Sequence, residues 1–95
     1  MGGTDPREER LVEELREGIV AQLNLIEVRP GDIDPDAPLF GAGLGLDSVD
    51  AIELVVLVET RYGIKIEDPR KAREILASVR TMARFVLSRQ GAPRA

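Results

Sequence analysis

The chain contains no cysteine and no histidine. The first absence excludes disulfides and thiolate metal sites, and the two together leave zinc almost without ligands. Tryptophan is absent as well, and two phenylalanines and one tyrosine are the whole aromatic content. The core must therefore be built from Leu, Ile, Val and Ala. One small domain of 95 residues on such a core is expected toward the low end of the usual range of roughly 5 to 15 kcal/mol of stability. Long hydrophobic runs are also missing: the longest uncharged apolar run, Leu54 to Val58, is far short of the roughly 20 residues a spanning helix needs. The N-terminus is acidic and polar, unlike a signal peptide, and Pro6 stands where a myristoylation signal after Met1-Gly2 wants Ser or Thr. These features predict a cytoplasmic protein without membrane insertion.

What charge there is lies unevenly. The formal net charge is −4, yet residues 1–62 hold 14 acids and 5 bases while residues 63–95 hold 3 acids and 8 bases, that is −9 against +5. The acidic front disfavours nucleic-acid phosphates and favours basic partner surfaces. The basic tail lacks interleaved aromatics for stacking on bases and reads as a solvated helix face.

The periodicity predicts an all-α fold, a small bundle of three main helices and one short third helix, forming a single domain over 1–95 with an ordered core of about 5–90 and frayed ends at 1–4 and 91–95. Asp5-Pro6 is a helix start, and Leu11, Leu15, Ile19 and Leu23 then repeat every fourth residue, which predicts a helix over 6–23. Asn24 through Leu46 holds three prolines and four glycines and reads as a long loop, tacked to the core by Ile26, Val28, Ile33, Leu39, Phe40 and Leu44. Asp47 caps the next helix, with Asp50 completing an acidic capping-box spacing, and Ile52, Leu54, Val55, Val58 and Tyr62 are the expected buried side. The β-branched Val55, Val56 and Val58 allow a strand instead, but the cap and the 3.6-residue spacing favour a helix, which Gly63 ends. Asp68-Pro69 opens a third helix of about two turns, and Ser78 caps a fourth carrying Val79, Met82, Ala83, Val86 and Leu87.

Two constellations fail as sites. Asp32, Asp34 and Asp36 alternate like the start of an EF-hand loop, but Ala37 stands where glycine is needed and Gly43 where a bidentate glutamate is needed. If this loop packs across the second helix, its three acids would crowd Asp50 and Glu53 into a shared, self-repelling surface. Gly41, Gly43 and Gly45 precede a helix, yet no predicted strand leads into them and no lysine follows, so neither phosphate-loop fingerprint is met.

Ser48 is the candidate functional residue. It stands where the glycine loop gives way to the apolar helix, and its expected place in the first turn favours an attached phosphate through the helix dipole by up to about 1 kcal/mol. Serine needs a base to become a nucleophile; histidine is absent, and the only lysines, Lys65 and Lys71, lie in charged stretches. Ser48 is therefore expected to be modified by another protein and not to catalyse. Asp47, Asp50, Glu53 and Glu59 read either as a solvated acidic face or as a handle for basic partners.

The run Leu44-Gly45-Leu46-Asp47-Ser48-Val49-Asp50-Ala51-Ile52-Glu53-Leu54 resembles the attachment motif of acyl carrier proteins, and the likeness extends over nearly the whole chain. The resemblance implies no enzymatic activity and a 4′-phosphopantetheine on Ser48, received from coenzyme A by way of a phosphopantetheinyl transferase, whose thiol carries acyl thioesters. It implies Asp47 as motif neighbour and helix cap, and Val49, Asp50, Glu53 and Glu59 as recognition residues for ketoacyl synthase and other acyl-processing enzymes. Leu54, Val55 and Val58 are the expected contributors to an acyl-chain pocket, and a monomer is expected. Gly41, Ala42 and Gly43 replace loop acids common in fatty-acid carriers, Glu59-Thr60-Arg61 replaces an acidic cluster, and helix three carries Arg70, Lys71 and Arg73. Those departures point to a specialised fatty-acid, polyketide or aryl-polyene-like pathway. A peptidyl carrier is disfavoured by the acidic helix and by Leu46 before Asp47, and an unmodified helical interaction module is the rival from another class.

Overall fold

The computed structural model describes residues 5–41 and 43–90; the expected frayed ends at 1–4 and 91–95 lie outside the described residues, as does Ala42. Four helices follow in order: α1 (Pro6–Gln22), α2 (Ser48–Tyr62), α3 (Pro69–Ile75) and α4 (Val79–Gln90), with a 3-10 turn at Pro30–Asp32 in the loop after α1. The described residues contain no strand, only one isolated bridge between Phe40 and Leu46. The all-α bundle with a short third helix is what the periodicity predicts. No described helix is long and apolar enough to cross a membrane.

Each helix start is a side-chain cap. The Arg7 amide donates to Asp5 Oδ1 at 2.8 Å with Pro6 in the first turn, the Arg70 amide donates to Asp68 Oδ1 at 2.9 Å, and the Thr81 amide donates to Ser78 Oγ at 3.1 Å. These bonds satisfy amides that have no partner within the helix. α2 ends on Gly63, whose φ of 68° is the left-handed conformation glycine adopts without strain. α1 ends at Gln22, one residue before the expected Leu23, because Asn24 turns left-handed at φ 54° and diverts the chain.

Leu11, Val12, Leu15 and Ile19 of α1, Leu54, Leu57 and Val58 of α2 and Val79, Met82, Ala83 and Val86 of α4 form one core. α1 is its spine, packing against both α4 and α2. At the α1–α2 crossing Gly18 leaves room for Leu57, whose Cδ1 would lie 3.2 Å from an added Cβ. Two residues expected at the core are exposed instead. Ile52 is 64% exposed, because a helix turns about 200° in two residues and Ile52 cannot share a face with Leu54. Ile26 is 88% exposed in the loop, where Ile33 and Leu39 do the anchoring and Val28, Phe40 and Leu44 are half-buried.

The bonds of the loop acids among the described residues do not run to α2. The Arg80 side chain on α4 donates to Asp36 Oδ1 at 3.1 Å and to Glu8 Oε2 and Glu9 Oε2 at 2.8 Å each. Asp34 accepts from the Asp36 amide and Asp32 from the Arg29 amide. Arg16 of α1 holds the 3-10 turn through the carbonyls of Pro30 and Gly31 at 2.8 and 3.0 Å. The loop is thus drawn toward α1 and α4, and the expected crowding of Asp32, Asp34 and Asp36 on Asp50 and Glu53 finds no support in these bonds. Arg80 also departs from the solvated basic face read from the tail: its side chain is only 16% exposed.

Candidate functional site

Ser48 is the first residue of α2 and is exposed. Its neighbour Asp47 is the cap: Oδ1 accepts from the amides of Val49 and Asp50, each at 3.1 Å. Asp50 Oδ2 in turn accepts from the Asp47 amide at 3.0 Å. This reciprocal box fixes the backbone on both sides of Ser48 while its own hydroxyl bonds to no described residue. The box also occupies two amides that a phosphate at the helix start would otherwise use. An anion on Ser48 is therefore left the helix dipole and solvent, not those N–H groups.

The chain enters α2 through a tight return. The Leu46 amide donates to the Leu39 carbonyl at 3.1 Å, and the Leu39 amide donates to Ala77 at 2.9 Å, tying the loop to the α3–α4 turn. Gly43 packs against Pro38 so closely that an added Cβ would collide with the Pro38 carbonyl oxygen. Only glycine allows that approach.

Ser48 lies at the edge of a cavity of about 740 Å³ between α2, α3 and the incoming loop. Its walls are mainly apolar, with Phe40, Leu46, Ala51, Val55, Ile66 and Leu76 among them, and Glu67 and Arg73 also line it. Of the three residues expected at an acyl-chain pocket, Val55 lines this cavity. Leu54 and Val58 do not: both are wholly buried in the core, since Val55 lies one residue, about 100°, around the helix from Leu54. The contributions of α3 and of the segment after Gly63 are missed by a reading confined to α2. The alternation Ile64-Lys65-Ile66-Glu67, with the isoleucines half-buried and the charges exposed, is the sequence signal that could have found Ile66.

The expected recognition residues occupy distinct settings. Val49 is 65% exposed, and with Ile52 and Val56 it forms an exposed apolar stripe along α2. Asp50 is engaged in the capping box, and Glu53 Oε1 accepts from Gln22 Nε2 at 2.8 Å. Glu59 lies in the last turn of α2, where its carbonyl accepts the Gly63 amide at 2.9 Å. The described residues bring together no group of three or more His, Cys, Asp or Glu that could hold a metal ion.

A family model described as "Phosphopantetheine attachment site" matches residues 13–86. The chain is 34% identical over 76 residues to the acyl carrier protein of Sulfurovum sp. (strain NBC37-1), covering 80% of this chain and 93% of that one. It is 32% identical over 76 residues to that of Wolinella succinogenes, covering 80% and 92%, and 34% identical over 86 residues to that of Streptomyces coelicolor, covering 90% and 88%. The described site fits the prosthetic group of this family: an exposed hydroxyl with no bond to a described residue and an apolar recess beside it. With the four-helix fold, the matched residues place the chain in the family of acyl carrier proteins, which are carriers of 4′-phosphopantetheine and not enzymes.

Proposed function

We propose that Ser48 bears the 4′-phosphopantetheine and that this carrier serves a specialised fatty-acid, polyketide or aryl-polyene-like pathway. The observation supporting the attachment site is the Ser48 hydroxyl, exposed at the first turn of α2, without a bond to a described residue, and at the edge of the apolar cavity. When bound, the group supplies a thiol on which acyl cargo travels as a thioester. Asp47 holds the helix start rigid, so the hydroxyl is presented in one place to a transferase. Val55, Ala51 and Ile66 offer an apolar wall to the cargo, and Leu54 and Val58 back that wall from the core. Val49, Asp50, Glu53 and Glu59 form the recognition surface of α2 for the phosphopantetheinyl transferase, a ketoacyl synthase and further acyl-processing enzymes. The protein acts as a cytoplasmic monomer.

The specialised pathway is supported by charge. Gly41 and Gly43 bring no acids to the loop just before the motif, Arg61 lies in the last turn of α2, and Arg70, Lys71 and Arg73 make α3 basic. A partner that grips α3 with its own lysines and arginines meets repulsion there.

Incubation with coenzyme A and a phosphopantetheinyl transferase, followed by intact-mass measurement, tests the attachment. One phosphopantetheine on the wild type and none on Ser48→Ala is the expected result. Undiminished labelling of Ser48→Ala would move the site elsewhere, and failure of several transferases on the wild type would favour the unmodified interaction module.

A further inference from the structure

A second cavity, of about 660 Å³, opens between the segment after Gly63, α3 and α4. It adjoins the one beside Ser48, with Ile66 and Glu67 lining both. Its apolar surface comes from Ile64, Ile75 and Phe85. Three cations also line it: Lys65, Lys71 and Arg89, the first two being the only lysines of the chain. All three are exposed, and none pairs with a carboxylate of the described residues. Arg89 is held over the Phe85 ring, its Cζ 5.5 Å from the centroid, so one cation is pre-positioned against the apolar wall. Glu67 and Asp68 line the same cavity, so three cations stand against two carboxylates and leave it a formal charge of +1; the Asp68 carboxylate accepts the Arg70 amide at 2.9 Å.

We propose that this cavity is a docking site for an acidic segment of a partner protein carrying an apolar side chain among its carboxylates. The sign of the three cations selects an anionic partner, and the apolar floor selects one that can bury a side chain as well as offer charge. Concavity favours a protruding peptide segment over a flat lipid surface. This site is independent of the attachment at Ser48. A partner gripping it would stand beside the wall formed by Ile66 and Glu67 without covering the start of α2.

The test is an amide-shift titration of the full chain with a synthetic peptide of glutamates and aspartates around a central phenylalanine. Saturable shifts confined to residues 63–68, α3 and the second half of α4 are expected. Raised salt should weaken them, and the double substitution Lys65→Glu with Lys71→Glu should weaken binding tenfold or more while melting remains unchanged. Arg89→Glu should weaken it independently. Shifts centred on other residues, no saturable binding, or equal binding by the double variant would overturn the proposal. So would lysine-dependent sedimentation with phosphatidylglycerol vesicles in the absence of peptide binding, or lysine-dependent self-association, which would assign the cavity to a membrane or to a second copy. Labelling of the double variant by coenzyme A and transferase keeps this test separate from the attachment, since it reads Ser48 alone.

Discussion

Gln22 Nε2 donates to Glu53 Oε1 at 2.8 Å, so a carboxylate that the sequence offers as a loose surface charge is fastened to the end of α1. Two further pairs continue the same antiparallel register, Gly18 against Leu57 and Glu14 against Tyr62. Neither Glu53 nor Asp50 pairs with a cation of the described residues, so neither charge is offset by an ion pair there.

Charge reversal at Glu53 should therefore slow modification by a transferase by about tenfold, which corresponds to about 1.4 kcal/mol of lost attraction. Glu53→Gln should lose part of that and much of the salt dependence, whereas Gln22→Ala should leave the rate nearly unchanged. The control is Arg10 on the exposed side of α1, and Arg10→Glu should change little. Initial rates at low and high salt decide it; equal sensitivity at Glu53 and Arg10 would reduce the acids of α2 to solvated surface.

Gly43→Ala should disturb the approach to Ser48. The added Cβ meets the Pro38 carbonyl, which is backbone and cannot swing aside, so the return between Leu39 and Leu46 must open. A loss of about 1–3 kcal/mol is expected, in line with the cost of a strained or overpacked position. Thermal melting measures the loss and labelling of Ser48 its functional cost; a variant as stable as the wild type would show that the loop yields without strain.

Removing Arg80 should lower stability by about 2 kcal/mol. It binds Glu8, Glu9 and Asp36 at once, and Glu8 is itself only 10% exposed at its side chain. Breaking a fully buried pair costs about 3–5 kcal/mol and an exposed one under about 1, and this network lies between those limits. For a domain of this size, about 2 kcal/mol is a fall in Tm of roughly 8–16 °C. Arg80→Lys should recover only part, since one ammonium lacks the planar fork that spans three carboxylates. An unchanged Tm for Arg80→Ala would mean the network is dispensable.

The Tyr62 hydroxyl donates to Glu14 Oε1 at 3.0 Å, and burial followed by that bond pushes its pKa up from 10.0 to about 12. A raised folded-state pKa favours the protonated phenol, so its stabilisation is whole below the unfolded value of 10.0 and is lost as pH rises through about 12. Tyr62 is the only tyrosine and tryptophan is absent, so ultraviolet titration reads this group alone. The native midpoint should lie at about 12, and Tyr62→Phe should remove this contribution to alkaline destabilisation. A native midpoint at the ordinary 10.0 would show that neither the burial of the phenol nor its bond to Glu14 holds in solution.

The sequence by itself determined the four helices and their starts, because caps and the 3.6-residue repeat act over three or four neighbours. Asp5, Asp47, Asp68 and Ser78 each bond amides within their own first turn. It also singled out Ser48, since the absence of histidine and the Asp47-Ser48 start of α2 are local facts. Which apolar residue of α2 serves which wall was not local. Leu54 and Val58 go to the core, while the half-buried Val55 and the exposed Ile52 both line the cavity, and only the placement of α1 and α3 around α2 decides among them. The same holds for charge: Arg80 is far along the chain from Asp36 and from the neighbours Glu8 and Glu9, and their pairing exists only after α4 has packed on α1. Tertiary packing decides such contacts because a side chain's partner across the fold depends on helix rotation and register, which no short stretch of sequence encodes.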